Sequence, residues 1–154
     1  MGDIALAWSL DAGAADLVLE DDDLASDAGL RTAVLLSLFL DRRAEDEDAL
    51  PGEDDDRRGW WADEFAETDG DRIGSRLWLI DRAKRAGDVP ARATELVREA
   101  LAWLIEDRVA SSIDVDISAT GPALILVITI HRPQGDAVSF RFAHAWDGEA
   151  ALAV

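Results

Sequence analysis

The sequence predicts an α+β fold, with helices packed on one face of an antiparallel sheet. Three observations carry this expectation. Residues 113–117 and 138–142 alternate apolar and polar side chains with a period of two, residues 124–130 are almost wholly apolar and β-branched, and residues 90–105 repeat their apolar positions at helical spacing. With 154 residues, 49% of them hydrophobic, the chain has the length and apolar content for a single domain spanning 1–154 with a real core.

At the amino end, Ile4–Leu10 and Asp16–Leu19 are short apolar runs split by Asp11-Ala12-Gly13, which predicts a hairpin or a strand and its return. After the acids at 20–23, Ser26 or Asp27 is a candidate N-cap for a helix carrying Leu30, Val34 and Leu38, with Leu35 and Phe39 on its flanks. Seven of the ten residues from Leu30 to Phe39 are apolar, so this helix is expected to be buried on more than one side. A second helix is expected over 72–86, with Ile73, Leu77 and Ile80 on one face, ended by Gly87. Pro90 suits the first turn of a third, where its fixed φ and missing N–H cost nothing. Leu96, Val97, Ala100, Leu101, Leu104 and Ile105 form its apolar stripe. Three strands close the chain as a meander, turning at Gly121-Pro122 and at 133–136. The middle strand reads as covered on both faces.

Residues 41–58 differ in character, with nine acids, four arginines, one proline and one glycine. Contiguous acids do not reproduce the alternate ligand spacing of a calcium loop, so the stretch reads as an exposed acidic loop and no metal is expected. The net charge of −18 argues against binding to phosphate backbones and to anionic membranes. The first residues lack the basic region of a secretory signal, no apolar run reaches bilayer length, and the absence of cysteine removes disulfides and thiolate chemistry.

A search for catalysis finds no positive case. The two histidines, His131 and His144, fall in or near separate strands, with His131 expected near Val138 and His144 near Ile125. Neither belongs to a recognised ligand or triad spacing. Among 33 acids, chance pairs at hydrolase distance are unavoidable, so their abundance carries no signal. Phosphate-loop, dinucleotide and nucleophile-elbow glycine motifs are absent, and no cofactor or small-molecule substrate is expected. The tryptophans say more. Trp8, Trp78, Trp103 and Trp146 fall in or near expected elements, whereas adjacent Trp60 and Trp61 cannot both face inward from one regular element. One of the pair is expected to pack inside while the other caps the core or meets a partner.

Taken in order, Gly59-Trp60-Trp61, then Gly74-Ser75-Arg76-Leu77-Trp78-Leu79, then a helix ending Trp103-Leu104-Ile105-Glu106-Asp107, then three strands, resemble the Mu-like phage baseplate protein family. The resemblance runs from the first strand to Trp146. It implies a non-enzymatic part of a virion tail or prophage remnant, similar to the small wedge subunit of contractile-tail baseplates, assembled in the host cytoplasm. Implied partners are other wedge proteins and tail sheath or tube proteins, the sheath being met by strand addition at a sheet edge, either the amino-terminal strand or that at 137–146. In the wider wedge family a Glu-Pro-Arg motif precedes the strands; Glu106-Asp107-Arg108 stands there, with Asp in place of Pro. Candidate interface residues are therefore Trp60, Trp61, Arg76, Trp78, Glu106 and Arg108. The label lysozyme-like, sometimes applied to that wedge subunit, carries an enzyme alternative with Glu106 as a buried acid. An acidic binding module unrelated to phage is the third reading.

Overall fold

The computed structural model describes residues 3–4, 6–9, 14–17, 19–20, 23–24, 26–27, 29–52, 55–68, 70–80, 88–121 and 123–145. Six short amino-terminal strands come first: β1 (Asp3–Ile4), β2 (Leu6–Ser9), β3 (Ala14–Leu17), β4 (Leu19–Glu20), β5 (Asp23–Leu24) and β6 (Ser26–Asp27). They make three antiparallel pairs, β1 with β6, β2 with β3 and β4 with β5. The hairpin expected from the two apolar runs is β2–β3. A second follows it, in which Glu20 faces Asp23. These ribbons form sheets separate from the carboxy-terminal one.

Helix α1 spans Leu30–Phe39, and it starts after Gly29 rather than at the expected N-caps. Ser26 and Asp27 are engaged in β6, and Gly29 turns the chain at φ 82°, a conformation glycine adopts without a Cβ clash. Val34, Leu35 and Leu38 are fully buried, and Thr32 and Ser37 are largely so, which covers α1 on more than one side as its composition implies.

The helix expected over 72–86 is not formed in its described part. Instead a single 3-10 turn spans Leu77–Ile80, and residues 81–87, with the expected stop at Gly87, lie outside the described residues. The cause is competition for the backbone. Ser75 donates its N–H to Leu40 O (2.9 Å) and accepts from Arg42 N (2.9 Å), so the peptide groups that would start a helix are already paired. The third helix is divided. Helix α2 runs Val89–Ala100, and after Leu101 at φ −102°, ψ 2° a short α3 covers Ala102–Glu106. The break turns the stripe, so Leu104 is buried while Ile105 is 47% exposed.

The carboxy-terminal meander is β7 (Ser112–Thr120), β8 (Ala123–His131) and β9 (Val138–Ala145), in that spatial order. Thr120 pairs with Ala123, and Gly121, which follows Thr120, has φ 56°. The second connection is longer than expected. Residues 132–137 separate the strands, so Val138 pairs with Ile130 and His144 with Leu124, one residue off the predicted register, while His131 pairs with Ser112 of β7. One core joins the layers. Leu124, Leu126, Ile128 and Ile130 of β8 and Phe142 of β9 meet Val34, Leu35 and Leu38 of α1, Leu96 and Val97 of α2, and Leu104 of α3. Each such side chain contributes about 1.5–3 kcal/mol on leaving water. The other face of β8 differs from expectation: Ile125, Val127 and Thr129 are only half-buried, so the central strand has one covered face.

Candidate functional site

The segment Gly74-Ser75-Arg76-Leu77-Trp78 ties the chain together in the interior. Besides its backbone bonds, Ser75 donates its hydroxyl to Leu38 O and accepts from Leu77 N, while being 2% exposed. Trp78 is 3% exposed and donates Nε1 to Arg42 O (2.8 Å), with the Arg58 guanidinium 4.6 Å above its ring. Arg76 donates to Asp48 Oδ2 (2.5 Å) and Glu99 Oε2 (2.6 Å), and Arg92 lies 3.4 Å from Asp48 Oδ1. Asp48, one of many acids in the 41–58 stretch, is thereby a pin holding that stretch to α2. Its carboxyl is held below the ordinary value of 3.8. Burial pushes it up, but hydrogen bonds from Arg76 and the Glu45 N–H, with the charges of Arg76 and Arg92, outweigh that. Arg76 is correspondingly raised: its burial is outweighed by Glu99 and Asp48.

Trp60 and Trp61 are placed differently. Gly59 at φ 117° and Trp60 lead into a 3-10 turn over Trp61–Phe65, and neither tryptophan is buried: Trp60 is 40% and Trp61 73% exposed, with Phe65 at 74%. The three rings touch in series, Trp60–Trp61 at 6.0 Å and Trp61–Phe65 at 6.2 Å between centroids, forming an aromatic ledge. Phe65 belongs to it through the i, i+4 spacing from Trp61, a signal visible in the sequence. Behind the ledge a cleft of about 510 Å3 is lined by Trp60, Ala62, Asp63, Ile73 and, from the helices, Leu36 and Trp103. Asp63 accepts from Ile73 N (3.2 Å) through Oδ1. Trp103 donates Nε1 to Ser37 Oγ (3.0 Å) across the cleft floor. Trp103→Phe should keep the packing and lose that bond, lowering stability by about 1 kcal/mol in urea denaturation; an unchanged midpoint would mean the bond is not formed in solution.

Glu106 and Arg108 occupy a third setting, the end of α3. Arg108 takes the left-handed conformation (φ 60°) that ends helices, and Ala110 N closes on Leu104 O at 2.8 Å. Both side chains are exposed, so Glu106 is not the buried acid that the hydrolase alternative invoked. Glu106 lines a smaller groove of about 340 Å3 with Arg98, Leu101, Ile105 and Ile113. His131 pairs with Asp114 at 2.7 Å on the open face of the sheet, a partner two residues into the neighbouring strand that linear spacing does not show. The structure thus assigns the six candidates to an exposed ledge, an interior tie and a helix end.

Comparisons with known proteins agree on one family. The sequence profile described as phage protein GP46 matches residues 30–137. The chain is similar to "Baseplate protein gp46" of Escherichia phage Mu, with 39% identity over 149 residues, covering 96% of this chain and 99% of that protein. It is also similar to "Mu-like prophage FluMu protein gp46" of Haemophilus influenzae, with 36% identity over 149 residues, covering 95% and 98%.

Proposed function

The chain belongs to the phage protein GP46 family, and on that premise we propose that it is a structural, non-enzymatic subunit of a contractile phage or prophage tail baseplate. The observation that carries this reading is the 39% identity, over nearly the full length of both chains, with a protein named for the baseplate of phage Mu. The same reading makes its partners other tail proteins rather than nucleic acid, membrane or a small substrate, and puts it in the virion tail after assembly in the host cytoplasm. The strong negative charge supports the exclusion of polyanions. Among the described residues no helix is long and apolar enough to cross a membrane.

Within the baseplate, our reading is that of a wedge subunit that seeds the sheath by strand addition. The sheet order supports β9 as the receiving edge, since it is an outer strand of eight residues with Ser139 and Arg141 exposed. An added strand would gain backbone hydrogen bonds there and read alternate side chains. The opposite edge, β7, carries Asp114 and Asp116 on its open face, which protects it from indiscriminate pairing. Co-expression with wedge and sheath proteins from the same phage or prophage should give a complex that co-sediments. Proline scanning of β9 in both phases, restricted to variants that keep their far-ultraviolet dichroism, should abolish sheath binding and spare wedge binding. Intact sheath binding throughout that scan would rule out β9. The purified chain should leave peptidoglycan uncleaved; release of soluble glycan fragments would overturn the non-enzymatic assignment.

A further inference from the structure

We propose that the Trp60–Trp61–Phe65 ledge, with the cleft behind it, is a docking site for a protein segment that presents an arginine or lysine beside an apolar side chain. This deepens the assembly reading, on which it rests for the existence of protein neighbours, and adds the chemistry of one of them.

Five large apolar side chains are exposed among the described residues, and three of them fall within six positions, in ring contact. Leaving a contiguous aromatic surface in water has a cost that a partner removes. The cleft adds depth. Its walls include Ala33, Ala62, Ala66, Gly74 and Ala100, whose small side chains leave room for a large one to enter. Its charge selects which. Glu64 and Glu67 are exposed on and just past the 3-10 turn that carries the rings, and Asp63 and Asp71 line the cleft. The cation lining it, Arg72, is already 3.6 Å from Glu45. Aromatic faces attract cations, most strongly guanidinium, and neighbouring carboxylates add to that attraction. A second copy of this chain is a poor occupant, because two chains of net charge −18 repel one another. An anionic lipid surface is repelled in the same way.

The test is a selection of displayed random peptides on the immobilised full chain, with two counter-targets, Trp60→Ala/Trp61→Ala/Phe65→Ala and Glu64→Arg/Glu67→Arg. All five positions are exposed, and thermal melts should confirm that both variants stay folded. The expected result is enrichment of peptides pairing Arg or Lys with an apolar neighbour. Their binding should be about thirtyfold weaker on the aromatic variant, the loss typical of a truncated hot spot, and weaker on the charge-reversed one. Peptides that bind the wild type and the aromatic variant equally, or that lack a cation, would overturn the proposal. So would self-association of the wild type that the aromatic variant abolishes, which would assign the ledge to a second copy. Failure here is distinguishable from failure of the baseplate reading. If wild type and aromatic variant co-sediment with the same tail proteins and cationic peptides bind both alike, the ledge proposal falls and the baseplate reading stands. If neither co-sediments while cationic peptides are still selected, the reverse holds.

Discussion

Gly74→Ala is expected to destabilise the protein by about 2–5 kcal/mol, the sum of a left-handed backbone penalty and an overpacking penalty. The geometry gives both terms. Gly74 has φ 94°, and a Cβ built there would lie 2.4 Å from Leu40 O and 2.8 Å from Leu40 C. Those are backbone atoms of the turn after α1, and Ser75 N is bonded to the same Leu40 O. Moving them apart would also break the short bridge between Asp41 and Ser75. Gly70→Ala is the control, because Gly70 has φ 83° but nothing within 4 Å of its added Cβ. Chemical denaturation of the two variants separates conformational strain from collision. Equal losses would show that the close approach is not what requires glycine at position 74.

Arg76→Ala should cost about 2 kcal/mol near neutral pH, between the small worth of an exposed ion pair and the larger loss on breaking a buried one. Arg76 and Asp48 have side chains 16% and 8% exposed, so the pair is mostly shielded, whereas Glu99 at 38% is not. Removing the guanidinium leaves Asp48 with Arg92 at 3.4 Å as its remaining cation. Arg76 Nε is itself buried without an acceptor among the described residues, which lowers the net loss. The pH dependence has a definite sign. Asp48 titrates below its ordinary value of 3.8 in the folded chain, so its contribution is full above the unfolded pKa. It is lost as pH falls through the depressed folded pKa. The stability difference between wild type and Arg76→Ala should therefore hold from about pH 7 to about pH 5 and shrink towards about pH 3. Taking the difference between the two proteins cancels the acids that do not contact Arg76, which titrate alike in both. A difference that stays constant down to that acidity would mean Arg76 acts through packing alone.

Gly74-Ser75-Arg76-Leu77-Trp78 is the most distinctive stretch of the sequence, where local pattern predicts a helix and the family resemblance predicts interface residues. Its apolar spacing fits a helix, yet its glycine and serine serve a backbone tie to Leu38, Leu40 and Arg42 that lies some 35 positions away. Arg76 and Trp78 face that interior for the same reason. Trp60 and Trp61 were legible as unusual because two adjacent indoles cannot share one buried face. That neither is buried follows from the 3-10 turn after Gly59, which local pattern did not foretell. The division of the third helix at Leu101 was equally hidden, since its apolar stripe continues without a break.

What this sequence determined by itself is the architecture that local periodicity encodes: the buried helix at 30–39, the helix opening at Pro90, and the three-stranded meander with its alternating outer strands. Those signals are local because burial on one face of a regular element imposes a repeat on the residues themselves. Tertiary structure alone decided which of the acids at 41–58 is a structural pin, which strand His131 reaches for its carboxylate, and that the second face of β8 stays half-open. Each depends on a partner distant in the chain. A pairwise contact leaves no repeat in either segment, so Asp48 reads like its neighbours until Arg76 is folded against it.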